Sequence, residues 1–216
     1  MAQIYIICSV RHLPSDLKEK IIKYAVDLKE RGHAVRVPFN DTNQDDPIGI
    51  RITDEHEWTD ILNADWFHII WSPSSQGSWW DWAQARMLKY FSHNKRILFV
   101  DPQTMKPMAE ELRPQPPILD SEDHLWKRAT SHVLCLTWEA DQDGTASRHF
   151  LWQLAQARIV ARLFNLDICI CGAEQIQPTP IKSYDNVALC THLGLLPDIT
   201  RDEFDRAVAQ FKEKSA

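Results

Sequence analysis

The chain has 216 residues, a formal net charge of −6 and 44% hydrophobic residues, enough to bury a core as one large domain or two small ones. Acids and bases are interspersed, so no basic stripe invites nucleic acid, and no apolar run reaches membrane-spanning length. Met1 leads directly into the apolar Ile4-Tyr5-Ile6-Ile7 without a basic n-region, so no signal peptide is expected; five cysteines, an odd number, fit the reduced thiols of a cytoplasmic protein. Cys169 and Cys171 alternate within an apolar strand pattern with no second ligand pair suitably spaced, which favours core cysteines over a metal site.

In chain order, Gln3 to Cys8 reads as a buried first strand, left by the loop Ser9-Val10-Arg11-His12-Leu13. From Pro14, apolar residues at Leu17, Ile21, Ala25 and Leu28 keep helical spacing until Gly32. Ala34 to Pro38 is a short second strand, followed by a polar loop from Asn40 to Asp46, and a helix-like segment spans roughly Thr53 to Asn63. Trp66 to Trp71 has the length and the aromatic and β-branched content of a strand; Ser72 to Gly77 reads as a turn, and Ser78 as the N-cap of a helix with Asp81 in its first turn. Arg96 to Val100 is a further strand. Strands alternating with helices at this spacing predict an α/β fold with a doubly wound parallel sheet, Rossmann-like in type.

Prolines at 102, 107, 114, 116 and 117 then mark a linker, which divides the chain into a domain over 1–118 and a C-terminal α/β extension over 119–216. In the extension, Ser131 to Thr137 and Leu166 to Cys171 read as strands and Ala146 to Phe164 as a long amphipathic helix. Asn186 to Cys190 is a further strand candidate, and Thr200-Arg201-Asp202-Glu203 is a capping box opening a last helix. A degenerate internal repeat is one reading of this half. His68 to Trp71, Gly77-Ser78 and Ala83-Gln84-Ala85-Arg86 parallel His132 to Trp138, Gly144-Thr145 and Ala155-Gln156-Ala157-Arg158, with Arg148 standing for Asp81. The other reading is coincidence, because Ala-Gln-Ala-Arg is ordinary helix composition.

Function has to come from the loops at the carboxyl ends of the strands, where open α/β sheets bind ligands. Backbone N–H groups at the start of the helix carrying Asp81, with Ser74, Ser75 and Ser78, form a donor cluster suited to an anion. No Walker loop, G-x-G-x-x-G, Ser-His-Asp elbow or H-E-x-x-H is present. Trp79, Trp80 and Trp82 flank Asp81 and read chiefly as core or interface residues, with one of them available to stack on a base.

The pieces Ile4-Tyr5-Ile6, Cys8-Ser9-Val10-Arg11, Ile61-Leu62-Asn63-Ala64-Asp65 and Pro73-Ser74-Ser75-Gln76-Gly77 with Asp81, in this order and spacing, resemble the nucleoside 2-deoxyribosyltransferase-like superfamily, which includes the deoxynucleoside 5′-monophosphate N-glycosidases. The resemblance covers about half of the chain. It implies that Asp81, usually a glutamate in the family, is the nucleophile that attacks the anomeric carbon as the base leaves. It also implies that Glu57 contacts substrate in place of the family's aspartate and that Tyr5 lies near the nucleophile. Asp60, a helical turn after Glu57, shares roughly its face. The monophosphate hydrolases carry serine at the position of Ser75 and a Ser-x-Arg matching Ser9 and Arg11, where the nucleoside transferases usually carry aspartate in place of Ser75. Ser9, Arg11, Ser75, Gly77 and Ser78 therefore suit a phosphate, and Asp41, in the loop after the second strand, a sugar or base.

Each residue also has an ordinary structural reading. Asp81 is equally a helix-start acid, Tyr5 a core aromatic, Ser9 and Ser75 turn residues, Arg11 and Glu57 surface charges, and Asp41 part of an Asx-rich turn. The expectation is an N-glycosidase or deoxyribosyltransferase-like enzyme cleaving a nucleoside 5′-monophosphate. It would need neither metal nor organic cofactor, bind a small-molecule nucleotide but neither nucleic acid nor membrane, and form a homo-oligomer. Usual glutamate and Gly-Tyr are replaced here by Asp81 and Ala83-Gln84, which leaves two rivals: a nucleotide sensor that binds without turnover, and a protein-interaction module with a tryptophan-rich helix.

Overall fold

The structure, a computed structural model, describes residues 1–10, 13–41, 60–72, 74–128, 133–137, 139, 147–164, 166–171 and 187–189. The chain divides into two compact units, Met1–Pro116 and Pro117–Ala216.

The first unit is built from β1 (Gln3–Ile7), α1 (Ser15–Glu30), β2 (Ala34–Arg36), α2 (Pro38–Asp41), β3 (Trp66–Ile70), α3 (Gln76–Phe91) and β4 (Arg96–Val100). Its four strands are all parallel, in the order β2-β1-β3-β4, and the registers pair Ile4 with Val35 and Trp66, and Trp66 with Arg96. This is an α/β, Rossmann-like sheet. The strand order reverses between β1 and β3, which makes their carboxyl ends the switch point of the fold.

Period-two alternation sends the strand residues to two faces. Ile4, Ile6, Val35, Ile70 and Val100 pack against the buried stripe of α1, Ile21, Ala25 and Leu28. The alternate residues face α3, where Trp82 packs edge-on against Phe99 at 5.1 Å and against Trp71 at 5.4 Å. α1 carries Asp16 in its first turn and Lys29 in its last, each favourable to the helix dipole, and Gly32 ends it at φ +86°, a left-handed conformation that costs glycine nothing.

Two expectations are corrected here. Pro38 does not close a strand: it opens the short helix α2, where its fixed φ and missing N–H are tolerated, so Asn40 and Asp41 are helical rather than loop. The helix carrying Asp81 starts at Gln76, not after Ser78, because Ser75 is its N-cap. Asp81 therefore lies in the second turn, and the first turn holds no acid. The helix expected from Thr53 lies, up to Thr59, outside the described residues.

The second unit contains α4 (Ser121–Arg128), β5 (Val133–Thr137), α5 (Arg148–Phe164), β6 (Asp167–Cys171) and β7 (Val187–Leu189), with the three strands parallel in the order β5-β6-β7. The final helix expected at Thr200 lies outside the described residues. Both Ala-Gln-Ala-Arg runs lie inside uninterrupted helices, α3 and α5, so positions can be matched by counting back from them. This corrects the expected register: Gln153 stands where α3 has Asp81, and Arg148 where it has Gln76.

Candidate functional site

The candidate site forms where β1 and β3 end and α3 begins. Ser75 organises it. Its backbone N–H donates to the Ser72 carbonyl at 3.1 Å, closing the turn after β3. Its hydroxyl oxygen accepts the Ser78 N–H at 3.2 Å and the Ser78 hydroxyl at 3.0 Å. The first intrahelical bond runs from Trp79 N–H to the Ser75 carbonyl at 3.3 Å. That leaves the N–H groups of Gln76 and Gly77 among those a helix start presents outward, toward water or a ligand.

The same contacts decide what Ser78 does. It is 0% exposed and its hydroxyl points back at Ser75, so it serves the cap and not an external ligand. Gly77 is exposed, and a Cβ placed on it would meet only Ser75 Oγ at 4.0 Å, an ordinary contact. Neither strain nor crowding requires glycine there.

Asp81 is half-buried one turn further along α3. Its charge is felt at Cys8, the residue after β1: burial first, and then the Asp81 carboxylate, push the Cys8 thiol up to about 12. The Asp81 carboxylate is therefore within electrostatic range of the end of β1, against which α3 packs. It also keeps Cys8 protonated and a poor nucleophile. Tyr5, three residues before Cys8, is buried in β1, paired in register with Phe67. Its odd position turns it to the sheet face that carries α3. Ser9 is half-buried just beyond Cys8.

The tryptophans occupy the other flank. Trp71 lies edge-on to Trp79, with ring centres 4.6 Å apart, and Trp79 tilts over Trp82 at 5.4 Å. Two of the three tryptophans around Asp81 are thus packed with β3 and β4, as aromatic pairs prefer.

Of the residues singled out from sequence, Ser9, Ser75, Gly77, Ser78 and Asp81 are therefore at or near the carboxyl end of the sheet, while Tyr5 lies in the middle of β1. Glu57, Arg11 and the side chain of Asp41 lie outside the described residues. Asp60 is engaged elsewhere: its Oδ1 accepts from Arg36 Nε at 2.9 Å. Among the described residues no group of three or more His, Cys, Asp or Glu side chains is arranged to hold a metal ion, and no helix is long and apolar enough to cross a membrane.

Two features escaped the sequence. His68 is buried in β3 with Nδ1 2.8 Å from the Tyr24 hydroxyl, and desolvation, with His33 adding to it, pushes its pKa down to about 4. Gln84, the glutamine of the first Ala-Gln-Ala-Arg, is 0% exposed. The recurrence of that run was the available signal. A cavity of about 320 Å³ opens at the opposite, amino ends of the strands, lined by Met1, Ala2, Gln3, Ala34, Asn63 and Asp65. Its one carboxylate, Asp65, is committed to the Gln3 N–H at 2.8 Å, so the cavity offers no rival chemistry.

The chain matches no family model, no curated protein and no solved structure.

Proposed function

We propose that the chain is an N-glycosidase or deoxyribosyltransferase-like enzyme that cleaves the N-glycosidic bond of a nucleoside 5′-monophosphate, with Asp81 as nucleophile. The observation that carries this reading is the half-buried Asp81 carboxylate beside the end of β1, close enough to the buried Cys8 to raise its pKa. An anion at the switch point of a parallel sheet is where a developing oxocarbenium ion gains most from a fixed negative charge.

In the proposed reaction an Asp81 oxygen attacks the anomeric carbon, and the C1′–N bond breaks with its electron pair going to the base, which takes up a proton. Water, or a second base, then attacks the same carbon. The ester bond to Asp81 breaks and the carboxylate is restored. Tyr5 and Glu57 are assigned to orient the acid and the sugar. Ser9, Arg11, Ser75 and the N–H groups at Gln76 and Gly77 are assigned to the phosphate, and Asp41 to the sugar or base. Ser78 supports Ser75 rather than touching substrate.

The support for phosphate is the helix start itself: its first turn holds no acid, and the Ser75 hydroxyl oxygen accepts an N–H and a hydroxyl from Ser78. The test is incubation with a panel of nucleoside and deoxynucleoside monophosphates, with free base read by chromatography. Base release that disappears in Asp81→Ala supports the assignment. Calorimetric binding without base release selects the sensor instead, and neither binding nor release selects an interaction module.

A further inference from the structure

The buried amide of Gln84 lacks a hydrogen-bond partner. Among the described residues neither its nitrogen nor its oxygen makes a hydrogen bond, although the residue is 0% exposed. Buried amides are almost always paired, so an unpaired one calls for a cause. Its counterpart in α5, Gln156, is equally buried, but the Gln156 Nε2 donates to Glu122 Oε1 at 2.9 Å, which leaves only Oε1 without a partner. The amide with both ends unpaired thus belongs to the helix that carries Asp81.

Its position says what answers it. Gly77, Asp81, Gln84 and Leu88 follow one another along α3 at intervals of four, three and four residues, the spacing that keeps side chains on one side of a helix. Burial deepens along this side: Gly77 is exposed, Asp81 half-buried, Gln84 0% exposed and Leu88 3% exposed. Gln84 therefore lies one turn deeper than the acid, with Cβ atoms about 5–6 Å apart at such a spacing. Changes of its own side-chain rotamer carry the amide to a group bound against Asp81.

Stereochemistry then selects the group. In a β-nucleotide the base departs from one face of the sugar and an in-line nucleophile attacks the other. The 2′- and 3′-hydroxyls of ribose lie on the attacked face, and the base lies on the far one. A hydroxyl both donates and accepts, so a vicinal pair satisfies the N–H and the oxygen of a carboxamide together. A phosphate would set its anionic oxygens against Oε1, acceptor against acceptor. We propose that Gln84 is a specificity-determining residue that holds the 2′,3′-diol of the sugar, its Nε2 donating to one hydroxyl and its Oε1 accepting from the other. The substrate class is then a ribonucleoside 5′-monophosphate in preference to its deoxy form. The placement of the sugar rests on Asp81 being the nucleophile.

The test compares base release from a ribonucleoside monophosphate and from its 2′-deoxy and 3′-deoxy counterparts, using the full chain as wild type, Asp81→Ala and Gln84→Met. Wild type should favour the ribonucleotide by about tenfold or more in kcat/KM, because the deoxy forms leave part of the amide unpaired. Gln84→Met, which keeps the length and removes the amide, should lower kcat/KM for the ribonucleotide and bring the three substrates close to equality. Equal rates on the ribo and 2′-deoxy substrates in wild type, or a preference that survives Gln84→Met, overturn the proposal. Thermal melting reads the amide without turnover: an apolar replacement of an unpaired buried amide should leave the midpoint unchanged or raise it. A fall of about 4 °C or more, or a Gln84→Met chain that does not fold, means that the amide is paired inside the chain and overturns the proposal too. Base release that Asp81→Ala abolishes, with no ribose preference in wild type, sinks the diol contact and leaves the nucleophile standing. If no nucleotide releases base, the nucleophile reading fails and calorimetry decides the diol contact. Tighter binding of the ribonucleotide than of its 2′-deoxy form, lost in Gln84→Met, supports it; equal affinities overturn it.

Discussion

At the start of α3, Ser75 accepts an N–H and a hydroxyl, both from Ser78, while at the start of α5 Ser147 accepts the Phe150 N–H and donates its own hydroxyl to Glu139 Oε1 at 2.9 Å. His149 Nδ1 lies 3.6 Å from the same carboxylate oxygen. The second helix start is thus answered by an acid of its own unit, which occupies the place an external anion would take. Further along, α3 presents Asp81 and α5 presents the neutral Gln153. Two helices with the same serine cap, the same buried Ala-Gln-Ala and a like place between two parallel strands therefore differ at the two places where chemistry would occur. Shared scaffolding says nothing about shared activity; the side chains at the rim decide it.

The sharpest way to break this contrast is to remove the acid from one unit and its counterpart from the other. Asp81→Asn should reduce base release by about 10³-fold or more, the scale on which loss of a covalent nucleophile acts. Gln153→Ala should leave the rate unchanged, and equal effects from the two would dissolve the distinction.

The next largest effect is on stability in acid. His68 has a folded pKa of about 4 against an ordinary 6.5, so between those values the unfolded chain binds the proton and the folded chain does not. The stabilisation from keeping His68 neutral is complete above pH 6.5 and is lost as pH falls toward 4, amounting to about 3 kcal/mol. β5 has Cys135 at the matching strand position, with no such liability. Denaturant titrations across this window should show a pH slope that His68→Asn flattens. An unchanged slope would place the acid sensitivity elsewhere.

The caps sharpen the comparison on a smaller scale. Ser75→Ala and Ser147→Ala should each cost about 1 kcal/mol, because each removes the acceptor of a helix-start N–H. Only Ser75→Ala should also raise KM for a monophosphate substrate. Smallest of all is the effect on Cys8. Its thiol should resist alkylation at pH 8, and Asp81→Asn should speed the reaction by no more than a few-fold, since burial is the larger cause of its raised pKa.

The alternation of strands and helices was readable because it rests on period and length. Trp66 to Ile70 is too apolar and too short to be anything but a buried strand beside a helix at the spacing seen. The helix start was less readable. Ser74, Ser75 and Ser78 are all good caps by type, and only the geometry of Ser75 Oγ against the Ser78 N–H chooses among them. Pro38 looked like a terminator because proline ends strands and opens helices with the same ring. The glycines mislead about the repeat register, because Gly77 belongs to α3 itself, whereas Ala-Gln-Ala-Arg lies inside an uninterrupted helix in both units. Pairings across long sequence separation, such as His68 with Tyr24, leave no local pattern to read.

The most direct measurement is covalent capture. A nucleoside monophosphate whose sugar carries fluorine at C2′ slows both steps of a displacement through an oxocarbenium-like transition state, so that a glycosyl-enzyme can accumulate. The account predicts that the chain gains the mass of the sugar phosphate and that the modified peptide contains Asp81. Base released with no adduct, or an adduct mapped to any other residue, would contradict it.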